Sequence, residues 1–227
     1  MQPHDFWQEI HPPQSFCAAD DFGDFYVAEL SDGRQLRLPI RVLADGDHAL
    51  ASLIINQASF SVQEALAKAL AARIAPYEVD VVAGLPTLGL TLASAVARVL
   101  GHQRYVPLGT SRKFWYREDL SVSLSSITTP NQEKRLYIDP RMLPLLQGKR
   151  VALIDDVISS GASIVSGLEL LTACDVEPAV IGAAMLQSER WRHRVDATGK
   201  PWSERIVGVF STPILERGEN GRWQRPA

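Results

Sequence analysis

Hydrophobic residues recur along most of the chain in two patterns that alternate with each other. Short apolar runs occur at residues 79–83, 105–108, 151–154, 179–186 and 206–210, and each run is typical of a buried strand. Apolar residues at helical spacing lie before or between them, at Leu66, Leu70 and Ile74, at Leu92, Val96 and Leu100, and at Ile164, Leu168 and Leu171. This alternation predicts an α/β fold, namely a Rossmann-like parallel sheet flanked by helices and joined by right-handed crossovers.

Further signals predict where the helices begin and end. Ser61 and Glu64 match a capping box, so we expect the first helix to begin there and to end before Pro76. Gly101 is expected to close the second helix. Residues 141–147 are predicted to form a short helix.

The N-terminal part of the chain follows a different pattern. Residues 22–30 and 35–43 are strand-like, and Asp32-Gly33 between them predicts a hairpin turn. We interpret this pair as an edge hairpin, a dimer surface or a small accessory lobe. Residues 1–20 and the polar tail after Pro213 give no usable signal. The chain divides into three parts: an N-terminal hairpin or hood region (1–58), a core (59–186), and a C-terminal part with a loop, the last strand and the tail (187–227).

The most informative stretch is the apolar run at 151–154 with the residues that follow it. Asp155 and Asp156 come where this strand is expected to emerge, at the sheet edge where open α/β folds bind ligands. The next loop consists of Ser159, Ser160, Gly161, Ala162 and Ser163. Its small side chains let backbone N–H groups close around an anion, beside the positive end of the next helix, and its hydroxyls add donors.

These features predict a ligand with a phosphate at one end and a diol in the middle, such as a ribose 5-phosphate unit. Asp155 and Asp156 repel a phosphate placed against them, and suit sugar hydroxyls or a cation instead. We expect the substitution Gly161→Val to block the phosphate by filling the anion site. The alternative is an ordinary strand–turn–helix in which the two carboxylates only cap the helix.

A second loop, from Gly84 to Gly89, has similar features at the end of another predicted strand. Its glycines let the backbone approach a ligand, and Thr87 offers a hydroxyl. An ordinary strand-to-helix turn is the alternative.

The stretch at 151–163 resembles the phosphoribosyl pyrophosphate (PRPP) signature of type I phosphoribosyltransferases: an apolar strand, two acids, an apolar pair and a Ser-Gly-Ala-Ser loop. The resemblance covers about residues 60–186 and implies that family's fold, with the two flanks forming a hood over the base. It implies transfer of ribose 5-phosphate from PRPP to a nucleobase nitrogen, with release of pyrophosphate.

The resemblance also implies roles for individual residues. Asp155 and Asp156 would be the catalytic residues, binding the ribose hydroxyls or magnesium-bound water. The loop at 159–163 would bind the 5-phosphate, and Leu85, Pro86 and Thr87 would bind pyrophosphate in a loop that often has an unusual peptide geometry. Mg²⁺ would be held mainly by the oxygens of PRPP, with no metal held by the protein alone.

The region between Leu108 and Leu146 lacks a regular apolar pattern, and so long a connection is typical of a lid or a disordered segment. The resembling family has a flexible lid here that closes over PRPP and excludes water. We expect this role for residues 109–138, with Trp115 and Tyr116 docking the loop onto the protein.

Arg112 and Lys113 resemble the Arg-Lys pair that opens this lid in adenine-type members. We expect both to contact pyrophosphate, with Lys134 or Arg135 as a further contact. The pair favours a purine acceptor, adenine first. The acidic-aromatic-glycine segment of the adenine enzymes is missing after Lys113, so a pyrimidine acceptor such as orotate is the alternative.

The segment after the run at 179–186 is expected at the same edge of the sheet, where purine members of the family touch the base. Trp191 is therefore a candidate for stacking on the base, and Glu189 for accepting a hydrogen bond from it. The alternative is a solvated loop with one packed tryptophan.

Composition narrows the partners and the compartment. The net charge is −3 and 22% of residues are charged, so we expect no nucleic-acid partner, and no apolar run reaches membrane-spanning length. Two cysteines, Cys17 and Cys174, and a start without a signal-peptide pattern predict a cytoplasmic protein. The resemblance adds a homodimer with a role in purine salvage.

Two other functional classes share part of this sequence pattern. Some proteins of similar fold bind PRPP only as a signal and regulate transcription or RNA, but the N-terminal 58 residues show no helix-turn-helix. A receiver or phosphatase domain that uses the two aspartates lacks the hydroxyl-rich loop.

Overall fold

The computed structural model describes residues 2–16, 21–124, 134–196, 199 and 201–226. Within them the chain forms three α-helices: α1 (Phe60–Ile74), α2 (Gly89–Val99) and α3 (Ala162–Thr172). The strands are β1 (Asp21–Phe22), β2 (Phe25–Glu29), β3 (Gln35–Val42), β4 (His48–Ala51), β5 (Val81–Gly84), β6 (Val106–Pro107), β7 (Ser121–Ser123), β8 (Arg135–Tyr137), β9 (Val151–Ile158), β10 (Pro178–Gln187), β11 (Ile206–Thr212), β12 (Ile214–Arg217) and β13 (Trp223–Gln224). Short 3-10 helices lie at Pro3–Asp5, Ile55–Gln57, Ala75–Tyr77, Glu118–Leu120, Pro140–Leu145 and Ser203–Arg205.

The core is a five-stranded parallel sheet in the order β11-β10-β9-β5-β6. Alternate residues of β9 contact opposite layers, as the pleat of a strand dictates. Ala152 and Ile154 belong to an apolar cluster with α1 and α2, whereas Val151 and Leu153 belong to a cluster with α3. The predicted α/β sheet flanked by helices is confirmed.

A second sheet, here called the terminal sheet, is antiparallel and has the order β1-β13-β12-β4-β3-β2. It is built from both ends of the chain. The predicted hairpin forms as β2 and β3, with Ala28 opposite Leu36. The hairpin therefore belongs to an accessory sheet, and not to the edge of the parallel sheet.

The polar tail after Pro213 gave no signal in the sequence, yet it supplies two strands of the terminal sheet. The chain leaves β11 of the parallel sheet, passes Pro213 and enters β12 directly. The apolar residues that fix these short strands are few: Leu215 and Trp223 are both buried. Two buried apolar residues, with the half-buried Ile214 beside one of them, are too weak a pattern to predict strands.

Several predicted boundaries are shifted. α1 begins at Phe60, and the hydroxyl of Ser59 caps it by accepting from the N–H of Val62 at 3.3 Å, so the cap lies two residues before the predicted one at Ser61. The strand predicted at 105–108 shortens to Val106–Pro107, and the helix predicted at 141–147 is the 3-10 helix Pro140–Leu145.

The predicted lid, residues 109–138, is ordered at both ends. β7 and β8 pair antiparallel, and Leu120 and Leu136 are buried in the cluster with α3. The hydroxyl of Ser166 on α3 also donates to the carbonyl of Ser123 at 3.3 Å. These two strands are therefore fixed to the core, while residues 125–133 of the predicted lid lie outside the described residues.

Among the helices of the described residues, none is long and apolar enough to cross a membrane.

One buried side chain ties the parallel sheet to the terminal sheet. Gln187, at the end of β10, is 4% exposed, and its Nε2 donates to the carbonyl of Ala51 at the end of β4 at 2.7 Å.

We expect Gln187→Ala to lower the free energy of unfolding by about 1–3 kcal/mol, since it removes a buried hydrogen bond and leaves a void. Urea denaturation measures the change. Gln103→Ala, at an exposed glutamine, is the matched control and is expected to change the free energy by less than about 0.5 kcal/mol. Equal effects of the two substitutions would contradict this role for Gln187.

Candidate active site

Two loops meet at one edge of the parallel sheet because β5 and β9 are parallel neighbours. Gly84, the last residue of β5, lies beside Ile154 of β9. The N–H of Leu85 donates to the carbonyl of Ile154 at 2.9 Å. The loop after β5 therefore lies beside Asp155, as the sequence predicts for a site at the carboxyl ends of the parallel strands.

Asp155 and Asp156 lie inside the strand. β9 continues to Ile158, so the expectation that the strand ends before the two acids is wrong. They are 6% and 8% exposed. The two carboxyls are close enough to share a hydrogen bond when one of them is protonated. The N–H of Asp156 donates to Oδ1 of Asp155 at 2.9 Å, which fixes the first carboxyl against the backbone.

Burial makes the charged form of this pair costly. Loss of hydration raises the pKa of the Asp155 carboxyl well above its usual 3.8, and the neighbouring charge of Asp156 raises it further. Burial also raises the pKa of Asp156. Groups with such shifts are found at functional sites more often than elsewhere.

The first residue of α2 approaches Asp155 closely. A Cβ placed on Gly89 would lie 2.7 Å from Oδ1 and 2.9 Å from Cα of Asp155. Any side chain at position 89 would therefore push the helix away from the strand that carries the acids. The sequence predicts backbone approach to a ligand at Gly89, and the structure shows in addition that this glycine makes room for Asp155.

The predicted phosphate loop, residues 159–163, leads into the N-terminus of α3. The hydroxyl of Ser160 accepts from the N–H of Ala162 at 3.4 Å, and the carbonyl of Gly161 accepts from Val165 at 3.0 Å. Gly161 has φ +78°, a left-handed conformation that favours glycine.

Gly161 makes room for a buried tryptophan. A Cβ on Gly161 would lie 2.8 Å from the ring of Trp202 and 3.3 Å from Cβ of Trp191. The expectation that Gly161→Val fills the anion site is therefore corrected: the added side chain would collide with the tryptophan that supports the loop from below.

The predicted pyrophosphate loop has two kinds of residue. Leu85 is buried against the position of Gly167 on α3, so its side chain belongs to the core and only its backbone can face a ligand. The peptide bond between Pro86 and Thr87 is cis, which matches the expected unusual geometry. Thr87 is exposed.

Two arginines of the predicted lid contact residues of their own segment. Arg112 forms an ion pair with Glu118 at 3.2 Å. Arg135 donates to the hydroxyl of Ser121 at 2.8 Å and lies 3.6 Å from the same Glu118. Lys113 and Lys134 are exposed. The structure therefore gives Arg112 and Arg135 protein partners, and leaves Lys113 and Lys134 as the more accessible cations.

The two predicted base-binding residues differ in their surroundings. Trp191 is 3% exposed; its Nε1 donates to the carbonyl of Ser188 at 2.8 Å, and its ring stacks with that of Trp202 at 6.3 Å between centroids. This position gives Trp191 a packing role beneath the phosphate loop in place of an exposed stacking surface. Glu189 is exposed and forms an ion pair with Arg192.

Two arginines that the sequence analysis passed over lie next to the phosphate loop. Arg190 donates through Nη2 to the hydroxyl of Ser159 at 3.2 Å, and Arg194 donates through Nε to the carbonyl of Ser160 at 3.2 Å. The signal that was available is the basic composition of residues 190–194 just after a strand end.

The described residues contain no cluster of three or more histidine, cysteine, aspartate or glutamate side chains placed to hold a metal ion. Asp155 and Asp156 supply carboxylate oxygens at this edge.

A protein-family model for the phosphoribosyl transferase domain matches residues 51–215. The chain is 32% identical over 143 residues to the orotate phosphoribosyltransferase of Halorhodospira halophila, covering 62% of this chain and 58% of that protein. It is 32% identical over 105 residues to the hypoxanthine/guanine phosphoribosyltransferase of Methanosarcina acetivorans, covering 46% of this chain and 51% of that protein. The chain thus spans just over half the length of these curated relatives.

Solved structures share the fold. The adenine phosphoribosyltransferase of Giardia lamblia, crystallised with 9-deazaadenine, has a TM-score of 0.55 at 20% identity and covers 67% of this chain and 80% of its own. The adenine phosphoribosyltransferase of Rhodothermus marinus has a TM-score of 0.54 at 16% identity and covers 83% and 94%.

We expect Gly89→Ala to lower the free energy of unfolding by about 1–3 kcal/mol, because the added methyl overlaps the backbone of Asp155, which cannot rotate away. Thermal or urea unfolding measures this. Gly109→Ala is the matched control, since a Cβ at Gly109 meets nothing within 4 Å. A variant at position 89 as stable as the control would show that α2 yields without cost.

We expect Asp155→Asn to stabilise the protein at pH 7. The pKa of Asp155 is higher in the folded state than in the unfolded chain. Asp155 therefore contributes its full stabilisation to the folded state below pH 3.8, where it is protonated in both states, and this contribution is lost as the pH rises through the raised pKa. The gain from asparagine should therefore shrink as the pH falls toward 3.8. Urea denaturation at several pH values measures it.

Asp139→Asn is a control for which we expect the opposite change in the free energy of unfolding. Hydrogen bonds from Arg141 lower the pKa of Asp139 to about 2, so that variant should lose stability at pH 7. A loss of stability at pH 7 in Asp155→Asn would contradict the assignment of a costly buried charge.

Proposed function

The chain belongs to the phosphoribosyl transferase family, and from this premise we propose that it transfers ribose 5-phosphate from PRPP to a nucleobase nitrogen and releases pyrophosphate. The observation that carries the proposal is the pair of buried carboxylates, Asp155 and Asp156, at the sheet edge shared by two small-residue loops. One loop, at 159–163, suits the 5-phosphate. The other, at 85–87, suits the pyrophosphate.

The reaction we propose breaks the bond from C1 of the ribose to pyrophosphate ahead of bonding to the base. Positive charge then develops on the ribose ring, as in other glycosyl transfers. Asp155 and Asp156 would accept hydrogen bonds from the ribose hydroxyls and stabilise the developing charge. Hydroxyl donors would also favour the ionised carboxylates, whose pKa values burial has raised.

The donor set at this edge suits Mg²⁺. Carboxylate oxygens are the hard ligands that this ion prefers, and two of them hold it best together with phosphate oxygens and water. Asp155 and Asp156 would contact it through water, and PRPP would supply the remaining oxygens. When bound, the ion would neutralise the leaving pyrophosphate.

The identity of the nucleobase that accepts the ribose 5-phosphate is proposed separately from the reaction. A purine is our preferred acceptor, with adenine first because of Arg112-Lys113. The ion pair of Arg112 with Glu118 makes this signal less direct, since it gives that arginine a partner in its own segment. Orotate is the second candidate, because a relative 32% identical to this chain is an orotate phosphoribosyltransferase.

Three further expectations from the sequence remain proposals: a homodimer, a cytoplasmic location and a role in purine salvage. Phe60 and Val99 are exposed on α1 and α2 and line one shared groove, which supports an apolar contact with a second copy.

The first test measures pyrophosphate release from PRPP and Mg²⁺ with adenine, guanine, hypoxanthine, xanthine, orotate and uracil. We expect release with one base or a small group of bases. The double substitution Asp155→Asn with Asp156→Asn should lower turnover by about 100-fold or more, since it removes the charges that stabilise the transition state.

The matched control is Asp175→Asn, at an exposed aspartate beyond the end of α3 and away from the loops. It should leave turnover unchanged. Wild-type turnover in the double variant would sink the catalytic assignment. PRPP binding without release on any base would favour a PRPP-sensing regulator.

A further inference from the structure

The segment after β10 places cationic side chains against the phosphate loop. Arg190 and Arg194 lie on either side of Trp191 in the sequence and reach the first two residues of the loop. Nη2 of Arg190 is 3.2 Å from the hydroxyl of Ser159, and Nε of Arg194 is 3.2 Å from the carbonyl of Ser160.

Buried packing fixes this segment relative to the loop. The ring of Trp191 is stacked on that of Trp202, and the absent side chain of Gly161 leaves room for both. Nε1 of Trp191 donates to the carbonyl of Ser188 at 2.8 Å. The position of Arg190, which precedes Trp191, therefore follows from the core and does not depend on a free loop.

The charges of the three exposed arginines in this segment are satisfied differently. Arg192 pairs with Glu189, and its guanidinium lies over the ring of Trp191 at 5.0 Å. Neither Arg190 nor Arg194 has a carboxylate within 4.0 Å among the residues that the structure describes. Within the described part of the chain, these two positive charges beside the beginning of the loop are therefore not offset by a carboxylate.

Arg190 and Arg194 differ in what holds them. Arg194 donates to a main-chain carbonyl of the loop, which suits a role in fixing that loop. In the described structure, the guanidinium of Arg190 donates to two neutral hydroxyls, those of Ser159 at 3.2 Å and Ser188 at 3.4 Å. A phosphate dianion is a stronger acceptor for a guanidinium than a hydroxyl, so Arg190 can exchange these contacts for a charged one at little cost.

We propose that Arg190, which reaches Ser159 at the beginning of the loop, binds the phosphate monoester of the ligand and so completes the site formed by residues 159–163. The proposal rests on the proposed function, because it takes ribose 5-phosphate as the part of the ligand at this loop. It adds a charged contact to a loop whose own residues offer only hydroxyls and backbone N–H groups.

Calorimetric titration of the full chain with ribose 5-phosphate, and separately with PRPP and with pyrophosphate, tests the proposal. We expect Arg190→Gln to weaken ribose 5-phosphate and PRPP about tenfold or more, and to leave pyrophosphate affinity unchanged. Arg190→Lys should recover part of the loss, since it keeps the charge and loses the bidentate geometry. Arg192→Gln is the matched control and should bind all three ligands as the wild type does, because Arg192 is already paired.

The pH dependence gives a second measurement. A phosphate monoester takes its second charge near pH 6, so the wild type should bind ribose 5-phosphate more tightly at pH 7.5 than at pH 5.5. Arg190→Gln should reduce that difference. Equal affinity of the wild type and Arg190→Gln for ribose 5-phosphate overturns the proposal. So does an equal loss for ribose 5-phosphate and pyrophosphate at an unchanged unfolding midpoint. A wild-type protein that binds neither ribose 5-phosphate nor PRPP would instead overturn the proposed function.

Discussion

The pairing of β9 with β5 on one side and β10 on the other is the constraint on which the site depends. Gly84 lies beside Ile154, and Gly182 lies beside Ile154 from the other strand. This register decides which loop residues face one another, because a shift of one residue would turn Asp155 to the opposite face. The two loops, the acids and the arginine segment all extend from these three strands.

The central position of β9 also explains why the two acids lower the stability of the folded protein. The strand is buried on both faces, so the carboxylates lose their hydration on folding, and this loss raises the pKa of both acids. Asp155 is further enclosed by the close approach of Gly89. A fold chosen for stability alone would place an apolar residue here, so the acids are best explained by what they bind.

The sequence predicted the parts of the molecule that are governed by local patterns. Apolar runs and helical spacing were sufficient to predict the parallel sheet, and the stretch at 151–163 predicted the acids and the loop. Contacts between residues far apart in the sequence have no local pattern that predicts them. One example is the contact of Trp202 with Gly161, which lies 41 residues earlier. The short strand at Trp223–Gln224 depends on a partner, β1, at the other end of the chain.

The terminal sheet imposes an order on how the protein can form. Among the described strands, β1 pairs with β13, and Arg222 forms an ion pair with Asp21 at 2.9 Å across 201 positions of sequence. On a ribosome, residues 21–22 emerge long before that partner exists, whereas β2, β3 and β4 can pair with one another, and the parallel sheet can assemble, as their strands appear. β1 and the outer edge of β4 must therefore wait unpaired until β12 and β13 have been made. Closing so large a loop makes this sheet the slowest part of the fold to complete.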